Sequence, residues 1–214
     1  EATPFGSVQN LIQKVLAQPL TSLGTSFWGT LAVFVIINLL WCIGLHGSMI
    51  AGSVMTPIWL SMTSQNAAAL AAGKPLPNIV TEEFRYLIFI GGSGTTIGLV
   101  VAMAFLAKSQ QYKQLGKLSL LPGLFNINDP LIFGMPIVFN PVMWIPFLLM
   151  PIITVTLTYF SMYFGIVGKP IGVLPPGTTP LIIGGYIMTG GISGAILQLV
   201  IFIISFVVYY PFFK

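Results

Sequence analysis

The 214-residue chain is far more apolar than a water-soluble globular protein. Hydrophobic residues make up 56% of it and charged residues only 6%, whereas about 25% of the residues in an average soluble chain are charged. The net charge of +4 is spread thinly, with long uncharged stretches between the charged side chains. The composition therefore predicts a membrane protein, and the absence of a dense basic cluster argues against a nucleic-acid partner.

The first 24 residues are predicted to form an amphipathic helix at the membrane surface, followed by a linker. Polar residues Gln9, Gln13 and Lys14 occupy one face of this helix, and apolar residues recur with the spacing of the other face. The apolar positions are Val8, Leu11, Ile12, Val15 and Leu16. Residues 25–214 are predicted to be embedded in the membrane.

Four segments follow in the first half of this membrane-embedded part. Residues 27–45 are long and apolar enough to cross a hydrocarbon core of about 30 Å. The stretch 46–63 contains two glycines and a proline. It is compatible with a second span, a broken helix or a segment that lines a cavity. The polar residues 64–85 carry charges that sum to zero and are predicted to form an extramembrane loop. Residues 86–107 are predicted to form one span whose glycine-rich centre lets another helix approach closely.

The second half contains two predicted breaks in the membrane-embedded backbone. Prolines recur every five or six residues over 130–151, which disfavours a continuous helix and predicts a re-entrant hairpin, followed by a helix over 152–167. Residues 168–180 form a second break, and the last span is predicted over roughly 196–210. The predicted fold is an all-α membrane protein with polytopic transmembrane helices, two re-entrant or broken hairpin segments and an N-terminal amphipathic helix.

The distribution of lysines predicts the orientation of the chain in the membrane. A short loop predicted over 108–120 carries three lysines and no acid. The positive-inside rule places such a loop in the cytoplasm, together with the C-terminus, which ends in Lys214.

Two isolated ionisable residues are the candidates for chemistry. Asp129 lies in an apolar neighbourhood, where an ionisable group indicates a functional site; the alternative is that it caps a helix with Pro130 at the first helical position. His46, the single histidine, is either interfacial or functional, and its lack of neighbouring ligands argues against a metal site. Asparagine amides suit sugar hydroxyls or unpaired backbone groups, and they occur at Asn126, Asn128 and Asn140.

These residues lie in a segment that resembles a known family. Residues 121–141, LPGLFNINDPLIFGMPIVFNP, resemble the signature loop of enzyme IIC of the phosphoenolpyruvate-dependent sugar phosphotransferase system, in its lactose/cellobiose/chitobiose family. The segments 89–98, FIGGSGTTIG, and 176–180, PGTTP, support the resemblance. It implies the C-terminal half of a permease that binds a disaccharide, translocates it and presents it to the phosphocysteine of enzyme IIB.

The resemblance also implies roles for individual residues. His46 and Asp129 match the pair that holds the sugar hydroxyl accepting the phosphoryl group, and neither residue carries that group itself. The implied substrate-binding residues are His46, Asn126, Asn128, Asp129, Gly177, Thr178 and Thr179. The sequence departs from the family pattern at Asp129, where the family usually has Glu, and at Gly177, where it tends to have Trp.

The partners follow from the same resemblance. They are a disaccharide of the cellobiose, chitobiose or lactose type, enzyme IIB, the lipid bilayer of the bacterial cell membrane and a second copy in the full-length protein, with no cofactor and no metal. The main alternative is a proton- or ion-coupled secondary sugar transporter that uses Asp129 as the ion carrier without phosphoryl transfer. A purely structural membrane scaffold, the third possibility, predicts no saturable ligand binding.

Overall fold

The computed structural model describes residues 21, 24–135 and 137–213, and the amphipathic helix predicted for residues 1–24 lies almost entirely outside them. All regular secondary structure in the described residues is helical, which confirms the predicted all-α fold. The helices are α1 (Phe27–Cys42), α2 (Gly47–Ala71), α3 (Glu82–Ile88), α4 (Ile97–Leu106), α5 (Gln110–Leu124), α6 (Asp129–Gly134), α7 (Pro141–Tyr163), α8 (Ile183–Thr189) and α9 (Ile192–Phe213).

Helices α1 and α2 pack against each other and are joined by the short turn 43–46. A Cβ atom on Gly47 would lie 1.9 Å from the carbonyl oxygen of Ile37, so only glycine lets the two helices approach this closely. Helix α2 then continues through Pro57 without a break. Residues 47–63 of the stretch 46–63, whose structure the sequence left open, are therefore part of one continuous helix.

The loop predicted over 64–85 is wrong at both ends, because α2 covers its first residues and α3 begins at Glu82. Glu82 and Glu83 are only 2% and 0% exposed. Glu82 forms an ion pair with Arg85, and Glu83 accepts a hydrogen bond from the Thr63 hydroxyl at 2.6 Å. The two acids of this segment therefore serve buried contacts, whereas Gln65 and Lys74 are exposed as a loop predicts.

The single span predicted over 86–107 is also wrong, because a buried turn over 89–96 separates α3 from α4. Three glycines and Thr95 have positive φ in this turn, a conformation that no helix contains. The Thr95 hydroxyl donates to the carbonyl oxygen of Ile88 at 2.8 Å. The glycine-rich sequence thus breaks the helix, and side-chain hydroxyls satisfy backbone groups that the break leaves unpaired.

The lysine-rich loop predicted over 108–120 is mostly a helix, α5. Its buried face packs against α4, where a Cβ atom on Gly116 would lie 2.4 Å from the backbone nitrogen of Ala104. The small buried residues of α5 therefore allow a close helix pair, although its lysines favour a loop in the sequence.

The re-entrant hairpin predicted over 130–151 is shorter than expected. After the short helix α6, residues 135 and 137–140 are non-helical, but α7 then continues through two prolines, so the prediction is wrong over 141–151. Pro151 has no N–H to bond the carbonyl oxygen of Phe147. The Asn38 amide of α1 donates to that oxygen at 3.0 Å, which satisfies the group that the proline leaves unpaired.

Replacing Asn38 with Leu is expected to destabilise the protein by about 1–3 kcal/mol, because the carbonyl oxygen of Phe147 loses its buried donor. The measurement is thermal unfolding in detergent. Ser53→Ala is the control, since it removes an exposed hydroxyl that bonds only within α2, with an expected effect of less than about 0.5 kcal/mol. Equal shifts in melting temperature for both variants would contradict this role of Asn38.

The second predicted break is confirmed: residues 168–180 are non-helical, and the short helix α8 precedes the long helix α9. Within the part of the chain that the structure describes, two helices are long and apolar enough to cross a membrane, α7 and α9. Helix α3 contacts α2, α7, α8 and α9. This central position brings the residues of α3 and of the surrounding turns to one cavity.

Candidate functional site

A cavity of about 200 Å³ lies where the non-helical segments meet. It is bordered by the start of α2, by α3, by the glycine-rich turn after α3, and by the turns that precede α6 and α8. Its lining residues are Trp41, His46, Ser48, Arg85, Tyr86, Phe89, Gly92, Ser93, Asn126, Ile127, Asn128, Asp129 and Gly177. Five of the seven predicted site residues therefore converge here from distant parts of the sequence.

His46 occupies the N-cap position of α2 at the edge of the cavity. Its Nδ1 accepts a hydrogen bond from the backbone N–H of Met49 at 3.2 Å, so a neutral ring carries its proton on Nε2. The Trp41 and His46 ring centroids are 4.3 Å apart. Together the cap and the indole fix the plane of the exposed imidazole, with Nε2 as its remaining polar atom.

Asp129 is the first residue of α6 and is exposed at the cavity. The N-cap position falls on the preceding residue, Asn128, so the alternative in which Asp129 caps the helix is wrong. Its carboxylate therefore remains available to a ligand in the cavity.

Asn128 is buried beside Asp129 and binds the glycine-rich turn. Its Nδ2 donates to the carbonyl oxygen of Ser93 at 2.7 Å and to the hydroxyl of Thr96 at 3.1 Å. A Cβ atom on Gly92 would lie 2.3 Å from the Asn128 Cγ. These contacts join the turn after α3 to the turn that carries Asp129.

Asn126 connects three segments of the site. Its Oδ1 accepts from the Gly91 N–H at 3.0 Å, and its Nδ2 donates to the carbonyl oxygens of Gly177 and Thr179, both at 3.1 Å. The amide is thus engaged with backbone on both sides. Its direct contact with a sugar remains a prediction, and the geometry gives it a positioning role.

The segment 177–179 contributes one residue to the cavity wall, Gly177. A Cβ atom on Gly177 would lie 3.0 Å from the Tyr86 Cε1, so the absence of a side chain lets Tyr86 approach this segment. Thr178 is exposed, and neither it nor Thr179 lines the cavity. Thr179 meets the site only through its carbonyl oxygen, which accepts from Asn126.

Arg85 and Tyr86 are lining residues that the sequence analysis missed. The Arg85 Nε donates to the Glu82 Oε1 at 3.0 Å and its Nη2 donates to the Tyr86 hydroxyl at 2.9 Å. The Arg85 guanidinium also lies 4.4 Å from the centroid of the Tyr86 ring. Arg85 is the only arginine in the chain, and this was the one signal that could have identified it.

The cavity combines opposite charges, a carboxylate from Asp129 and a guanidinium from Arg85, with aromatic and amide groups. Among residues 21, 24–135 and 137–213, no group of three or more His, Cys, Asp or Glu side chains could hold a metal ion. Such a mixture of hydrogen-bonding groups and aromatic surface is suited to a neutral polar ligand with several hydroxyl groups.

The sequence model of the family described as "Phosphotransferase system, EIIC" matches residues 2–151. The chain belongs to this EIIC family. Over its whole length it is 50% identical to the lichenan permease IIC component of Bacillus subtilis (strain 168) and 49% identical to the cellobiose-specific EIIC component of Geobacillus stearothermophilus, and it covers 48% of each. EIIC components are integral membrane permeases, which confirms the membrane protein predicted from composition.

A solved structure supports the EIIC assignment. The chain matches the crystal structure of the transporter ChbC, the IIC component from the N,N'-diacetylchitobiose-specific phosphotransferase system, with a TM-score of 0.94 and 49% sequence identity. The match covers all of this chain and 50% of that one. The chain thus spans about half the length of these relatives, and the family resemblance seen in residues 121–141 is confirmed.

Proposed function

We propose that this EIIC chain forms the sugar-binding part of a phosphotransferase-system permease. It binds a disaccharide of the cellobiose, chitobiose or lactose type, translocates it and presents it to enzyme IIB. The observation that carries the proposal is the convergence of His46, Arg85 and Asp129 on one cavity. Relatives named for lichenan, cellobiose and N,N'-diacetylchitobiose support this class of substrate.

The cavity holds one end of the disaccharide. Its volume of about 200 Å³ lies below the range of about 300–1,000 Å³ that is typical of pockets for small molecules. The described residues therefore enclose part of such a ligand. Arg85 donates to sugar oxygens, and the rings of Trp41 and Tyr86 offer apolar surface to the faces of the sugar.

Asp129 and His46 prepare the sugar hydroxyl for phosphoryl transfer. Asp129 accepts the hydroxyl proton and orients the oxygen, while the Nε2–H of His46 donates to the same hydroxyl or to its neighbour. The oxygen then attacks the phosphorus of the enzyme IIB phosphocysteine in line, the O–P bond forms, the S–P bond breaks and the cysteine leaves as a thiolate. The chain supplies position and proton transfer and never carries the phosphoryl group, so it is the transport component of the phosphotransferase.

The remaining parts of the proposal concern the surroundings of the site. The chain lies in the bacterial cell membrane, with residues 108–120 and the C-terminus in the cytoplasm, because the lysines of this region favour that side. Enzyme IIB approaches from the same side. The full-length protein forms a homodimer, and no cofactor takes part.

Equilibrium binding tests the substrate class. Radiolabelled cellobiose and diacetylchitobiose are added to the full natural polypeptide that carries this sequence, purified in detergent, with maltose as a control that differs from cellobiose in the configuration of its linkage. We expect saturable binding of at least one of the first two sugars and phosphorylated product only when phosphorylated enzyme IIB is added. Sugar accumulation in vesicles without enzyme IIB would instead support a secondary transporter, and folded protein that binds neither sugar would contradict the proposal.

A further inference from the structure

Gln198 is a buried amide in the apolar helix α9. It is 2% exposed and its neighbours in the sequence are leucines on both sides. An amide in such surroundings is costly unless its polar atoms are hydrogen-bonded. Gln198 does not line the cavity of the proposed sugar site.

All the hydrogen bonds recorded for the Gln198 side chain go to backbone groups outside its own helix. Its Oε1 accepts from the N–H groups of Ile182 and Gly185 at 2.7 and 2.9 Å. Its Nε2 donates to the carbonyl oxygen of Tyr86 at 3.4 Å. One side chain therefore connects α3, which lines the cavity, with the start of α8, which follows the turn that carries the lining residue Gly177.

The backbone that Gln198 holds at α8 needs such support. Ile182 has φ +73° and ψ −52°, a conformation that β-branched residues rarely adopt. It precedes α8, whose first N–H groups have no partner within the helix. A Cβ atom on Gly185 would lie 2.4 Å from the carbonyl oxygen of Gly194, so the two helices touch at this point and the distance from Gln198 to both amides is fixed.

Helix α3 and the turn before α8 lie next to each other in the lining of the cavity. Helix α3 presents Arg85 and Tyr86, while the turn before α8 presents Gly177. A Cβ atom on Gly177 would lie only 3.0 Å from the Tyr86 ring, so the walls are already close. A small change in their separation therefore changes the width of the cavity.

We propose that Gln198 is a positioning residue that sets the separation between α3 and the turn before α8, and thereby the fit of the sugar. It acts through the backbone of Tyr86, Ile182 and Gly185 and does not touch the ligand. This inference rests on the proposed function, because the width of the cavity matters only if a sugar binds there.

The test uses Gln198→Leu in the full natural polypeptide, with two separate measurements. Hydrogen exchange by mass spectrometry reports the amides of residues 181–186, and equilibrium binding reports the dissociation constant of cellobiose or diacetylchitobiose. We expect faster exchange over 181–186, because two amides lose their acceptor. We also expect the dissociation constant to rise about tenfold.

Ser205→Ala is the matched control on the same helix. The Ser205 hydroxyl is buried, accepts from the Gly98 N–H at 3.1 Å and donates to the carbonyl oxygen of Thr95, but it has no recorded bond to the turn before α8. We expect faster exchange near residue 98, unchanged exchange over 181–186, and a dissociation constant altered by less than about threefold. Equal weakening of sugar binding in both variants, or unchanged binding in Gln198→Leu, would overturn the inference.

Gln198→Glu provides a second variant if Gln198→Leu does not fold. At high pH, where the carboxyl group is ionised, it keeps the acceptor for Ile182 and Gly185 but has no donor for the Tyr86 carbonyl oxygen. We expect protected amides over 181–186 together with weakened sugar binding, and wild-type affinity in this variant would overturn the inference. If the wild-type protein binds neither sugar, only the proposed function is contradicted. The exchange measurements then test by themselves whether Gln198 holds the backbone at the start of α8.

Discussion

Replacing Asp129 with Asn is expected to lower the rate of sugar phosphorylation by about 10²–10⁴-fold, because an amide cannot accept the hydroxyl proton. The side chain is exposed at the cavity and does not cap α6, so the fold should be unaffected. The amide still forms hydrogen bonds with a hydroxyl, and the sugar dissociation constant should change by less than about tenfold. Phosphorylation by phosphorylated enzyme IIB and equilibrium sugar binding, measured on the same preparation, separate the two effects.

Asp129→Glu is the matched control for this prediction. It keeps the carboxylate and moves it by roughly 1 Å. Glu is also the residue that the family resemblance leads us to expect at this position. We expect this variant to retain most of the phosphorylation rate. A loss of rate in Asp129→Asn that is no larger than its loss of sugar affinity would show that Asp129 binds the sugar without transferring its proton.

The features that the sequence predicted well depend on local properties of the chain. Low charge indicates a membrane protein whatever the tertiary structure, and the prolines and glycines of 168–180 disfavour a helix through their own backbone chemistry. His46 and Asp129 stood out because each is an isolated ionisable residue in an apolar stretch. The structure brings both to the same cavity.

The features that the sequence missed depend on partners far along the chain. Helix α7 tolerates Pro151 because Asn38 on α1 bonds the carbonyl oxygen that the proline leaves unpaired. Glu83 is buried because Thr63 on α2 donates to it. No local pattern contains these contacts, and for the same reason the sequence does not reveal that Glu82 and Glu83 are buried.

The glycine-rich turn shows how a single distant contact decides a local structure. Its sequence fits either a close helix contact, which was the prediction, or a break. Asn128 donates to the Ser93 carbonyl oxygen and to the Thr96 hydroxyl, which stabilises the break. The lining residues Gly92 and Ser93 could therefore be assigned to the site only once the position of Asn128 was known.

Replacing Gly92 with Ala is expected to destabilise the protein by about 2–4 kcal/mol and to abolish detectable sugar binding. Gly92 has φ +88°, which strains any L side chain, and the new Cβ would lie 2.3 Å from the Asn128 Cγ. Asn128 cannot move aside without losing its two hydrogen bonds to the turn, and its displacement would also move the adjacent Asp129. Thermal unfolding and equilibrium sugar binding measure the two effects.

Gly73→Ala separates backbone strain from the overlap with Asn128. Gly73 has φ +63°, but an added Cβ meets nothing within 4 Å, so only the strain of about 1 kcal/mol remains and sugar binding should be unchanged. Adding Asn128→Ala to Gly92→Ala removes the overlapping side chain, and the combined loss of stability should then be smaller than the sum of the two separate losses. Equal destabilisation by Gly73→Ala and Gly92→Ala, or additive losses in the double variant, would show that contact with Asn128 is not what requires glycine at position 92.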